Sequence, residues 1–162
     1  MKKRIFYSSI VILAAVFSFN SCIENTVSTI PDYPVNLRLD LTATYSTFYN
    51  SIGQQIYTKS NQIYYNDNAF PLKETERTGF GGILIYTNYE RKYCAVDMAC
   101  PYEAKRDVCV EIDGLEAVCP ECGSKFDIYN SEYAPPSKGP VTQALKKYKT
   151  QLSSNGILLI YR

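Results

Sequence analysis

The sequence predicts an all-β fold, a small antiparallel sandwich or barrel. Three observations carry this. Apolar and polar residues alternate with period two in several short segments. Asn155-Gly156 and Asp113-Gly114 supply turns of the hairpin kind. Turn residues recur at roughly ten-residue intervals, with no long helical pattern between them.

In chain order, Val35, Leu37, Leu39 and Leu41 alternate with Asn36, Arg38, Asp40 and Thr42, which predicts a half-buried strand. Residues 43–65 are rich in Thr, Ser, Tyr and Ile and suggest strands without fixing their pairing. Asn66 to Gly79 reads as a loop or short helix. Gly81 to Thr87 is a continuous apolar run and predicts a buried strand, and Lys92 to Met98 its hairpin partner. Val108, Val110 and Ile112 predict a strand that ends at Asp113-Gly114, with Leu115 to Val118 pairing back. Lys125 to Ile128 reads as a short segment. Ala134 to Pro140, with three prolines, reads as irregular. Leu145 to Leu152 fits helix or strand; the Asn-Gly turn and the apolar run Ile157 to Tyr161 after it favour strand. The glycines from Thr78 to Gly82 lack the lysine of a phosphate loop and read as a turn entering a strand.

The chain has 162 residues, 46% apolar and 20% charged, the values of one globular domain. It contains no histidine. That excludes Ser-His-Asp and Cys-His catalysis, HExxH proteases and any imidazole-ligated metal. No catalytic constellation is recognised, so an enzyme is not expected. Asp97, Glu103, Glu111 and Glu121 show no paired-carboxylate spacing and read as solvated surface. The 15 tyrosines read as strand and half-buried core residues rather than a stacking platform.

Residues 1–21 read as a secretory signal: Lys2, Lys3 and Arg4 precede an apolar segment ending at Ser21-Cys22. A small residue before a cysteine here resembles the lipobox of bacterial lipoproteins. This resemblance implies lipidation at Cys22 and anchoring to a lipid bilayer. Ile23 after the cysteine implies the outer membrane of the cell envelope, without deciding which face. Residues 22–34 then form a lipidated tether, and residues 35–162 the β domain. Loss of the three leading cations takes the formal net charge from +1 to −2. Lys146, Lys147 and Lys149 are the remaining basic cluster, so no nucleic-acid partner is expected.

Beyond Cys22, the cysteines are spaced C-x5-C-x8-C-x9-C-x2-C from Cys94 to Cys122. Cys119-Pro120-Glu121-Cys122-Gly123 is a knuckle that aims two sulfurs at one point; the same spacing suits a redox dithiol. Cys94 shares a strand face with Val96 and Met98 and reads as a small buried hydrophobe.

Ala95 to Tyr102 resembles the first cluster loop of a Rieske iron–sulfur domain, and Cys119 to Asp127 resembles the second. Gly139-Pro140 sits where that family places its proline loop. The resemblance is specific over Lys92 to Pro140, extends from Gly81 to Tyr161, and marks residues 94–140 as a two-loop site. On its ACPYE and CPECGS strings the chain most resembles histidine-lacking Rieske-fold lipoproteins of Bacteroidetes-type bacteria. The resemblance implies a Rieske-like β-sandwich or barrel carrying a two-loop cluster-binding subdomain. It implies ligand positions at Cys100, Tyr102, Cys119 and Cys122, with Gly123 and Ser124 donating hydrogen bonds to the sulfurs.

Tyr102 and Cys122 stand where the family has histidines, so a true Rieske centre is excluded. Three expectations stay open. Cys100, Cys119 and Cys122, with Cys109 or Tyr102 as fourth ligand, hold a single zinc or iron. The same set holds an all-cysteine [2Fe–2S] cluster for electron transfer with an envelope partner. Or the site holds no cofactor, is stapled by disulfides, and the domain is a binding or structural module. A thiol–disulfide enzyme built on Cys119 and Cys122 is a weaker fourth.

Overall fold

The computed structural model describes residues 28–162. The signal segment, Cys22 and the first part of the tether lie outside the described residues. The described chain is all β, as expected. Its first strands are β1 (Val35–Asp40), β2 (Gln55–Lys59), β3 (Gln62–Tyr65), β4 (Asn68–Pro71), β5 (Arg77–Thr78), β6 (Ile83–Thr87) and β7 (Tyr93–Asp97). Then follow β8 (Glu111–Asp113), β9 (Glu116–Val118), β10 (Lys125–Asp127), β11 (Pro136–Lys138), β12 (Lys147–Leu152) and β13 (Ile157–Tyr161). A curled nine-stranded antiparallel sheet runs in the order β4-β3-β2-β6-β7-β12-β13-β1-β5. A four-stranded sheet runs β11-β10-β9-β8.

The apolar run that predicts β6 has a simple cause. Both faces of the strand are buried. Ile83 and Ile85 enter one core with Leu37, Leu39, Phe48, Ile56, Leu158 and Ile160. Leu84 and Tyr86 enter a second core with Val96, Met98, Ala117 and Phe126. A strand with two dry faces cannot alternate, so period two disappears from the sequence. β7 pairs with β6 in register from Ile83↔Asp97 to Thr87↔Tyr93 and sends Cys94 and Val96 into the second core. Cys94 is buried there as expected, its thiol donating to the Lys92 carbonyl at 3.5 Å.

Four expectations are corrected. Asn66 to Gly79, expected as a loop or short helix, holds β4 and β5. The cause is turn chemistry: Asn66 and Asp67 both take positive φ (47° and 61°), the geometry that closes a two-residue hairpin. Ser60 and Asn61 do the same between β2 and β3 (49° and 63°), which settles the pairing within residues 43–65. Residues 136–138 form β11 despite the prolines. β11 is an edge strand and Pro136 its first residue, where a missing N–H costs least. Residues 28–34, the described part of the expected tether, pack on the domain. Ile30 is buried, and the Lys146 ammonium donates to the Ile30 carbonyl (2.8 Å) and the Asp32 carboxylate (2.6 Å).

The fourth correction is Asp97. It is not solvated surface but fully buried. Its oxygens accept from the N–H groups of Phe80 (2.8 Å), Gly81 (3.0 Å) and Ala99 (2.8 Å) and from the Tyr148 hydroxyl (2.6 Å). Burial and the neighbouring Asp97 charge push the Tyr148 hydroxyl well above its ordinary range, so it stays a donor. A buried carboxylate is costly unless its lone pairs are filled, and here they are. Replacing Asp97 by Ala strands all four donors. The expected loss is about 3–5 kcal/mol, read as a lower urea midpoint, against about 1–2 kcal/mol for Tyr148→Phe. Equal midpoints for Asp97→Ala and the unaltered chain would refute this role.

Candidate metal centre

Two loops build the site, each carried by a strand end. The first leaves β7 through Asp97. The Ala99 N–H is fixed on that carboxylate, and the Cys100 N–H donates to the Val108 carbonyl at 3.0 Å. The Ala104 N–H closes back on the Cys100 carbonyl at 2.9 Å. Together these bonds hold Cys100 in the second core, fully buried.

The second loop joins β9 to β10. The Cys119 N–H donates to the Ser124 carbonyl (2.8 Å) and the Gly123 N–H to the Cys119 carbonyl (3.0 Å). This pair closes the knuckle, and Gly123 takes the positive φ of 69° that the closure needs. Gly123 was expected to donate to a sulfur; it serves the backbone instead. The proline loop lies on top. A Cβ at Gly139 would come within 2.5 Å of Ser124 Cα, so only glycine permits that approach.

The loops bring Cys100, Cys119 and Cys122 together. Their sulfurs all lie within 4.8 Å of one another, and Cys100 Sγ is 3.7 Å from Cys122 Sγ. Two thiolates bound at about 2.3 Å to one tetrahedral ion stand about 3.8 Å apart, so the trio fits a single metal ion. A [2Fe–2S] cluster needs four protein ligands, two on each iron. The trio provides three of them.

The two residues expected as fourth ligand are elsewhere. Cys109 turns away, its thiol donating to the Gly81 carbonyl (3.1 Å) and the Arg106 carbonyl (3.4 Å). It lines a separate cleft of about 650 Å³ with Tyr57, Met98 and Glu121. The Ala99↔Cys109 bridge sets this orientation, which residue spacing cannot show. Tyr102 is 56% exposed, and only its backbone N–H serves the Cys100 sulfur.

The sulfurs differ in electrostatics. Burial pushes the Cys100 thiol up to about 12 against backbone hydrogen bonds from Glu103 and Tyr102. Burial also opposes ionisation of Cys122. There it is outweighed by hydrogen bonds from the Ser124 hydroxyl and backbone and from the other two cysteines, so its thiol lies below the ordinary cysteine range. The Cys122 thiol donates to Ser124 Oγ at 3.1 Å. Asp97 is the residue that sequence reasoning missed. Its available signal was a carboxylate closing an apolar strand opposite a glycine-rich turn.

No family model matches the chain, and no curated protein matches it. Among solved structures, a ferredoxin of Sphingomonas yanoikuyae B1 is similar at 18% identity, over 69% of this chain and 90% of that one, with a TM-score of 0.40. A chain from the complex of reduced oxygenase and oxidized ferredoxin in carbazole 1,9a-dioxygenase is similar at 14% identity, over 68% and 82%, also with a TM-score of 0.40. The chemistry of the site therefore rests on its own geometry.

In reduced, metal-free protein, Cys122 ionises at lower pH than Cys100. Iodoacetamide labelling followed from about pH 6 to 10 is expected to modify Cys122 first, with a midpoint below that of free cysteine. Ser124→Ala should raise that midpoint. Equal labelling of Cys100 and Cys122 across the range would contradict the arrangement.

Proposed function

We propose that this protein is a metal-holding lipoprotein of the cell envelope. Its β domain grips one metal ion through Cys100, Cys119 and Cys122, and lipid on Cys22 holds the domain at a membrane, the outer membrane by the residue that follows. The observation that carries the reading is the convergence of three sulfurs from two loops within 4.8 Å. The Rieske resemblance of the two loops supports it, because both loops keep their cysteines while the histidines are gone. Bound zinc would supply a cross-link between loops, and bound iron would add a one-electron couple for an envelope partner.

The residues of the chain do the rest. Asp97 fixes the first loop, Ser124 hydrogen-bonds with Cys122, and Gly139 lets the proline loop cover the knuckle. The Thr29 hydroxyl donates to the Pro101 carbonyl at 2.7 Å, next to Cys100. Seven residues of extended chain reach at most about 25 Å, so a lipid on Cys22 keeps the centre close to the bilayer. The partner is then a protein working at the membrane surface.

The 3.7 Å approach of Cys100 to Cys122 favours a second reading. In an oxidising envelope these two cysteines form a disulfide, and the domain is a metal-free binding module.

One preparation separates the readings: full chain extracted anaerobically from membranes in detergent. Elemental analysis is expected to find about one metal ion per chain, lost on Cys119→Ser. Two irons per chain with a reddish absorbance would overturn the mononuclear centre. Absence of metal, with two of the five cysteines beyond Cys22 protected from thiol titration, would establish the disulfide. Cys22→Ser is expected to shift the chain out of the membrane fraction; retention there would remove the lipid anchor from the proposal.

A further inference from the structure

The metal-centre reading above leaves the metal undetermined, and this inference rests on that reading. The ligand set is unusual in what it omits. The group holds three sulfurs and no carboxylate, and the chain has no imidazole at all. The thiol of Cys109 is committed to two backbone carbonyls, and the Tyr102 side chain points to solvent. Structural zinc closes with four protein ligands, and catalytic zinc fills its fourth place with water that it acidifies. Three thiolates already over-neutralise a divalent ion, so bound water would gain little acidity here. Cu(I) has the opposite preferences: it is soft, selects thiolates and is satisfied by three of them.

Burial points the same way. Cys100 and Cys119 are both 0% exposed, packed with Phe126, Val110 and Val141. Cu(II) favours tetragonal nitrogen and oxygen ligands, which this pocket does not offer, so the surroundings hold copper in its lower state. Cys122 is the partly exposed member of the trio.

We propose that Cys100, Cys119 and Cys122 form a three-coordinate Cu(I) site, with Cys122 as the entry ligand. A copper donor carrying the ion on a thiolate or thioether releases it by ligand exchange. The Cu–S bond to the donor breaks as the bond to Cys122 Sγ forms, any thiol proton passes to water, and no electron is transferred.

The test uses the full chain in detergent under argon, titrated with Cu(I) in competition with a colorimetric Cu(I) chelator and, separately, with Zn(II). The expected result is one Cu(I) per chain with a shell of three sulfurs in X-ray absorption. Cys122→Ser should weaken Cu(I) binding by more than about 100-fold, since even loss of an outer-shell partner costs about 10–100-fold. Cys109→Ser should leave it unchanged. The absorption measurement on the unaltered chain stands even if a variant misfolds. Zinc or iron retained by the trio against excess Cu(I), or a shell containing nitrogen or oxygen, would overturn the copper assignment and leave the metal centre standing. Failure to bind any metal when reduced would overturn both. Loss of copper on Cys109→Ser would overturn the choice of ligands.

Discussion

Asp97 sits without solvent contact at the end of β7 and accepts hydrogen bonds from three separate stretches of chain. The Phe80 and Gly81 amides bring in the turn that precedes β6. The Tyr148 hydroxyl brings in β12. The Ala99 amide begins the loop that carries Cys100. A charge buried this deeply is tolerated only when its lone pairs are filled by donors, and charge-assisted bonds are the stronger kind. The carboxylate is therefore both an expense and a specification. It admits one arrangement of these three segments, and the position of Cys100 follows from it.

The rest of the site is placed by strands with two buried faces. β6 and β7 separate the core of the large sheet from the core under the cysteine loops. Side chains of alternate parity on these strands reach opposite cores, so the small sheet is clamped onto the large one through Leu84, Tyr86 and Val96. Phe126, fully buried in β10, lies in the same core as Cys100 and Cys119. Interiors this dense deform little, and the sulfur positions inherit that stiffness.

The trio is graded from inside to outside. Cys100 is buried and its thiol is pushed up to about 12, whereas Cys122 is partly exposed and its thiol lies below the ordinary range. Any group reaching the trio from solvent meets Cys122 before the two buried sulfurs.

Much of this was legible in the sequence. Alternation at Val35–Leu41 marked β1, the Asn155-Gly156 pair marked the last hairpin, and Cys119-Pro120-Glu121-Cys122-Gly123 marked the knuckle. Each depends on neighbours in the chain: pleat periodicity, positive φ in tight turns, and the closure of a short loop. The prolines of residues 134–140 and the Asn66-Asp67 turn misled because sheet-edge position and turn type decide them. The sequence by itself thus determined an all-β chain with two cysteine loops. The tertiary structure alone decided that β1 lies between β13 and β5, that Asp97 is buried, that residues 28–34 dock, and that Cys109 stands apart from the three cysteines that converge. The reason is physical: strand and turn preferences are short-range properties of the backbone, whereas burial, carboxylate solvation and the meeting of sulfurs 22 residues apart depend on which distant surfaces pack together.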